Sequence, residues 1–123
     1  MANTNIVNVT SIVGNSLSVA VATSATQLAS NAASSGKVFK INSIVIANID
    51  GTSAADITVN IYSAAALGGT AIAIASTISV PADASLIVTD KTTMFYLLEN
   101  QSIGALASAT GDLVATISFE EIT

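Results

Sequence analysis

Apolar and polar residues alternate along much of this chain with a period of two. Small or polar residues, with Val114 as the exception, separate the apolar ones in four segments, residues 17–21, 57–61, 72–80 and 113–119. A period of two places alternate side chains on one face of a pleated strand. The four segments are therefore predicted to be β-strands. Together with residues 44–46, their alternating positions predict a core made of Ile44, Ile46, Ile57, Val59, Ile61, Ile117 and Phe119.

The segment 37–49, with the sequence KVFKINSIVIANI, changes parity along its length. Phe39 and Ile41 share one parity, whereas Ile44 and Ile46 share the other. One extra residue in a strand produces such a switch, so we expect a β-bulge near Asn42-Ser43. Residues 44–49 are apolar on both parities except at one position, and they are predicted to form a central strand covered on both faces.

Turn-forming residues separate the predicted strands, mostly at intervals that leave room for eight or nine short strands. The Ala- and Ser-rich segment 24–35 lacks a helical apolar stripe, and we interpret it as an edge strand followed by a loop. Residues 64–69 are interpreted as a hairpin loop. The predicted fold class is all-β: an antiparallel β-sandwich, jelly-roll-like, of eight to nine short strands.

The chain of 123 residues has the length of one domain. Residues 16–123 are assigned to the β-sandwich domain. Residues 1–15, which end in the turn signal Gly14-Asn15, are either an N-terminal arm that contacts neighbouring subunits or the first strand of the sandwich. They contain no basic and apolar segments of the signal-peptide kind, so synthesis in the cytoplasm without export is expected.

Charge is scarce in this sequence. Hydrophobic residues make up 51% of the chain and charged residues 9%, with a net charge of −5, whereas a soluble domain averages about 25% charged residues. This balance favours a subunit whose surface is covered by neighbours over a free monomer with a Ser- and Thr-rich surface. The only cations, Lys37, Lys40 and Lys91, are too few to bind nucleic acid or an anionic membrane.

Several of the side chains that usually perform catalysis are missing, and carboxylates are the most plausible catalytic groups that remain. The sequence has no His, Cys or Arg, which excludes imidazole bases, thiol nucleophiles and guanidinium clamps. Asp50 and Asp56 are candidate calcium ligands, but shaping a turn is the favoured role of Asp50. We therefore expect no catalytic residue, no cofactor-binding residue, no metal site and no enzyme activity. The acids all lie at or near predicted turns or the C-terminus: Asp50, Asp56, Asp83, Asp90, Glu99, Asp112, Glu120 and Glu121.

The C-terminal two thirds of the chain carries a further pattern. It contains INSIVIANIDGTSAADITVNIYS and, after a loop and a strand, STISVPADASLIVTDKTTMFYLLENQSIGALASATGDLVATISFEEI. The elements at residues 47–59, 78–91, 96–99 and 107–122 resemble a family of small virion structural proteins of tailed phages, of the cyanophage and marine phage type. Phe119 stands where that family more often has Tyr, and the first 36 residues lie outside the resemblance.

The resemblance implies a β-sandwich subunit of a phage virion, made in the host cytoplasm. The expected function is that of a capsid decoration, or cement, protein that binds the outer head shell and stabilises it by mass action. Its partners would be the major capsid protein or other virion subunits, and a homo-oligomer, trimer or dimer, is expected. The alternative is a neck, tail or fibre component, including a host-binding one. A carbohydrate-binding sandwich is disfavoured because aromatic residues are only 4% of the chain.

Overall fold

The computed structural model describes residues 4–123, and within that range the chain forms nine β-strands and no helix. Every strand pair is antiparallel. The all-β prediction and the predicted number of strands are confirmed. The strands are β1 (Ile12–Ala20), β2 (Thr26–Asn31), β3 (Val38–Asn48), β4 (Ala55–Ala64), β5 (Gly68–Val80), β6 (Ser85–Thr89), β7 (Phe95–Leu97), β8 (Gln101–Ala107) and β9 (Leu113–Ile122).

The strands form two sheets. Sheet A has the order β1-β9-β3-β6, with the short β7 also paired to β3, and sheet B has the order β2-β8-β4-β5. Connections of four to six residues join β1 to β2, β3 to β4, β5 to β6 and β8 to β9 across the two sheets. Packed sheets lie about 10 Å apart, so such short connections place the members of each pair face to face. This arrangement of a five-stranded and a four-stranded sheet, with β7 as the additional strand, is the jelly-roll, as the sequence predicted.

The core lies between the sheets and follows the predicted alternation. Five of the seven predicted core residues are fully buried, namely Ile44, Ile46, Ile57, Val59 and Ile117. The other two, Ile61 and Phe119, are partly buried and pack against this core. The ring of Phe119 stacks on Phe39 with 5.2 Å between ring centroids.

Strand β3 contains the predicted bulge. Its register against β9 shifts between Ile41 and Ser43, which leaves Asn42 as the extra residue. Strand β3 is central, since it pairs with β9, β6 and β7. The prediction of burial on both faces was wrong, because Val45 and Ala47 on the outer face are only half-buried. Within residues 4–123 the second sheet lies on the inner side of sheet A, and no further sheet or helix is present to cover its outer face.

Two further predictions from the sequence are confirmed, and one is corrected. β2 is an edge strand followed by a loop, and a three-residue turn joins β4 to β5. The single parity predicted for residues 72–80 was wrong, because the register between β4 and β5 shifts three times. In the folded chain Ala75 takes the buried position opposite Val59, although it has the other parity.

The turn predicted at Gly14-Asn15 is absent. Strand β1 begins at Ile12, passes through both residues and pairs with β9 from Ile12 to Ala20. The boundary drawn at residue 15 therefore falls inside a strand. Before β1, the backbone N–H groups of Thr10 and Ser11 donate to the carbonyl of Thr123, at 2.7 and 3.3 Å. Residues 1–3 lie outside the described range, and the intersubunit role of the arm remains a prediction.

Two buried asparagines connect the two sheets through hydrogen bonds. The Asn48 amide donates to the carbonyls of Ser53 and Val80, at 3.0 and 2.9 Å. The Asn31 amide donates to the carbonyls of Lys37 and Leu97, at 2.9 and 3.2 Å. Because these amides satisfy backbone groups on separate elements, they fix the connections that the jelly-roll needs.

Candidate assembly surfaces

Along one long side of the sandwich, two core-facing residues of β1, Val13 and Leu17, are not covered by the other sheet; they form the β1 strip. Leu17 of β1 lies opposite Ile117 and Val13 opposite Glu121. Residues directly opposite each other in an antiparallel pair project to the same face, so Leu17 points to the same side as the buried Ile117. Leu17 is nevertheless 46% exposed and Val13 52% exposed. The facing strand β2, six residues long against nine for β1, does not cover them.

On the opposite long side, Ile72, Ile74 and Ile78 of β5 in sheet B are exposed in a similar way, and they form the β5 strip. Ile72 of β5 lies opposite Ile61, and Ile78 lies opposite the buried Ile57. Ile72 and Ile78 therefore face the core side, yet they are 61% and 40% exposed. Ile74 and Ile61 line an open cleft of about 230 Å³ whose third wall is Phe95 of sheet A. The facing strands β6 and β7, of five and three residues, are too short to cover the 13 residues of β5.

Both strips belong to edge strands without charged residues. Residues 12–20 and 68–80 contain no Asp, Glu, Lys or Arg. Proteins that avoid strand pairing usually protect such edges with lysines, prolines, bulges or covering loops. β5 has bulges, but β1 pairs with β9 without a register shift. Large exposed apolar residues next to free backbone N–H and C=O groups are typical of surfaces that bind other protein chains.

Glu121, the charged residue opposite Val13 of the β1 strip, is engaged by hydrogen bonds within the subunit. Glu121 accepts hydrogen bonds from the Asn15 amide at 2.9 Å and from the Lys37 ammonium at 3.0 Å. The strip is therefore bordered by an ion pair whose two charges offset each other, and a neighbour would not have to compensate an isolated carboxylate.

Two of the acids predicted to lie near turns, Asp50 and Asp90, shape turns. The Asp50 carboxylate accepts from the backbone N–H of Thr52 at 2.9 Å and from its hydroxyl at 2.8 Å, which is the Asx turn expected there. These two bonds, the backbone one first, lower the pKa of Asp50 from its usual 3.8. The hydroxyl and then the backbone N–H of Thr92 lower the pKa of Asp90 in the same way.

No arrangement of ligating side chains stands out in the described part of the chain. Within residues 4–123 no three His, Cys, Asp or Glu side chains come together in a group that could hold a metal ion. Asp56 lies at the start of β4, where its backbone N–H donates to the Ser108 hydroxyl at 2.8 Å. The same residues include no helix long and apolar enough to cross a membrane.

The exposed strips were not identifiable as surfaces from the sequence. The alternation at residues 17–21 and 72–80 predicts core-facing apolar side chains, and the parity of Leu17 and Ile72 agrees with that. Their exposure depends on the length of the strand across the sandwich, which no local pattern reports. The sequence offered only an indirect signal, namely the scarcity of charge.

Comparison with known proteins supports the fold. No family model matches the chain, and no curated protein matches it. Among solved structures, a chain from the Bacillus endospore appendages, described as a family of disulfide-linked pili, is similar with a TM-score of 0.53 and 18% sequence identity. The match covers 91% of this chain and 88% of that chain. This chain thus shares its fold with a structural protein of a surface appendage, and the phage resemblance gains no support from these comparisons.

Proposed function

We propose that this chain is a non-enzymatic structural subunit that works by packing against other protein subunits in a multi-copy assembly. The observation that carries the proposal is the pair of uncovered apolar strips on β1 and β5. A lone monomer would expose both strips to water, whereas an assembly buries them, and apolar burial contributes about 25 cal/mol per Å². The charged content of 9% suits interfaces of this kind, whose centres are depleted of charge.

The resemblance of the sequence to phage virion proteins makes the proposed assembly more specific. The assembly is a tailed-phage virion, and the chain is a capsid decoration protein that binds the assembled head shell through the major capsid protein. Because it binds the assembled lattice and not the free capsid subunit, it shifts the equilibrium toward the intact shell. In this form the chain is located on the virion and acts without cofactor, nucleic acid or membrane. A position in the neck, tail or a fibre is the alternative on the same particle.

The structural neighbour favours a second candidate, a subunit of a surface appendage. The endospore appendages are described as disulfide-linked, but this sequence contains no cysteine. An appendage built from this chain would therefore contain no disulfide bonds between its copies, and we expect noncovalent contacts to hold it together. Boiling in detergent without a reducing agent would separate it into monomers.

Immunogold electron microscopy with an antibody against the purified chain distinguishes the candidates. A decoration protein gives label over phage heads and a band nearly stoichiometric with the major capsid protein on stained virion gels. Label confined to the neck or tail, with few copies per particle, supports the alternative virion position. Label along filaments supports the appendage. A chain recovered only as a free monomer, on no particle or filament, would overturn the proposal of a structural subunit.

A further inference from the structure

We infer that copies of this chain associate head to tail, with the β1 side of one copy seated on the β5 side of the next. This inference rests on the proposed structural function and names the partner as a second copy of the same chain. The two strips involved are the β1 strip, with Val13 and Leu17, and the β5 strip, with Ile72, Ile74 and Ile78.

The topology places the two strips in complementary positions. Sheet A begins with β1 and sheet B ends with β5, and these strands lie on opposite long sides of the sandwich. On the first side the uncovered strip belongs to sheet A and faces toward sheet B. On the second side it belongs to sheet B and faces toward sheet A. A second copy in the same orientation can therefore place its β1 strip against the β5 strip of the first copy, so that each strip covers the other.

The chemistry of the strips fits the same arrangement. Both carry large aliphatic side chains and no charge, and the carboxylate opposite Val13, that of Glu121, is already paired with Lys37. Contact between the strips therefore buries apolar surface without desolvating an unpaired ion. The cleft of about 230 Å³ beside Ile74 is larger than the roughly 150 Å³ cavity that holds benzene in an engineered protein. A branched aliphatic side chain such as Leu17 fits into that space.

The head-to-tail contact accounts for both strips, whereas a two-fold contact accounts for one. Two β1 strips that face each other would leave both β5 strips in water, and the reverse pairing would leave both β1 strips exposed. A standard interface buries about 800 Å² per partner. Two such contacts would remove roughly a quarter of the accessible surface of 6067 Å². A heterologous contact of this kind closes into a ring, such as a trimer, or continues as a filament.

Two charge substitutions test the contact on the full chain. Leu17→Lys disables the β1 strip and leaves the β5 strip intact, and Ile72→Lys does the reverse. Ile49→Lys is the matched control, because Ile49 is 62% exposed in the connection after β3 and belongs to neither strip. Circular dichroism checks that each variant is folded. Mass is measured by light scattering after size exclusion, with the wild type and each variant at several concentrations.

Head-to-tail association predicts a specific set of masses. The wild type and Ile49→Lys exceed the monomer mass of 12.2 kDa, and each single strip variant runs as a monomer. An equimolar mixture of Leu17→Lys and Ile72→Lys forms a dimer of one copy each, because together they retain one intact strip of each kind. A dimer of Ile72→Lys alone would overturn the inference in favour of a two-fold β1 contact. A mixture that stays monomeric would overturn it as well.

The outcome for the wild type separates this inference from the proposed function. A wild-type chain that remains monomeric in solution, yet is found on phage heads or filaments, overturns self-association and leaves the structural function standing. Head-to-tail association of the purified chain, combined with its absence from every native virion and appendage, supports the contact and overturns the structural function.

Discussion

Ile117 is the position where the packing of the sandwich can be tested most directly. It lies on β9, between Leu17 of β1 and Ile44 of β3 in the register of sheet A, and its side chain is fully buried. Replacement by alanine removes three carbon atoms. At about 0.8 kcal/mol per buried methylene, the lost transfer free energy is about 2.4 kcal/mol.

The cavity left by Ile117→Ala adds to that loss. Paired strands flank β9 on both sides, so the backbone around the site has little room to collapse, and poorly relaxing sites lie toward the upper end of the 2–5 kcal/mol range. We expect the free energy of unfolding to fall by about 3–4 kcal/mol and the Tm to fall by roughly 10 °C or more. The linear dependence of unfolding on urea, followed by circular dichroism, measures the change.

The matched control is Ile49→Ala, the same substitution at an exposed position, which should change the stability by no more than about 0.5 kcal/mol. Unfolding at two protein concentrations separates the dissociation of any oligomer from unfolding itself. A cost at Ile117 below about 1 kcal/mol, or one equal to that at Ile49, would mean that the inward parity assigned to β9 is incorrect.

Three further predictions concern a close contact, a buried amide and the surface acids. Gly69→Ala should lower the stability by about 1 kcal/mol or more, because Gly69 has a φ of +71° and an added Cβ would meet the Ser63 hydroxyl and lie 3.1 Å from a backbone nitrogen. Gly14→Ala, with nothing within 4 Å, should be neutral in the same urea titration. Asn48→Ala removes two hydrogen bonds that the amide donates and one that it accepts, and it should lower the free energy of unfolding by about 2–4 kcal/mol. Equal stability of the variant and the wild type would contradict the role of Asn48 in connecting the sheets. Carbon-detected NMR titration should place the pKa of Asp50 and of Asp90 below 3.8. Because the pKa of each group is lower in the folded state, the stability that these groups contribute is present above the unfolded-state pKa and is lost as the pH falls through the folded-state pKa. Measured pKa values at or above 3.8 would contradict the Asx turns.

The sequence by itself determined the local features of this fold. The period of two identified four of the nine strands and the inward positions of Ile57, Val59 and Ile117, because pleating alone fixes which side chains share a face. The parity switch in β3 located the bulge at Asn42, since an extra residue reverses the alternation. Turn-forming residues located the β4–β5 hairpin for an equally local reason.

The tertiary structure decided which inward positions are covered. Leu17 and Ile117 have the same inward orientation on paired strands, yet Leu17 is half exposed and Ile117 is fully buried. The difference arises because β1 lies at the edge of sheet A and faces the short β2, whereas β9 lies between two strands over β8. Coverage depends on strands far apart in the sequence, and so the assembly surfaces emerge only when the two sheets are packed together.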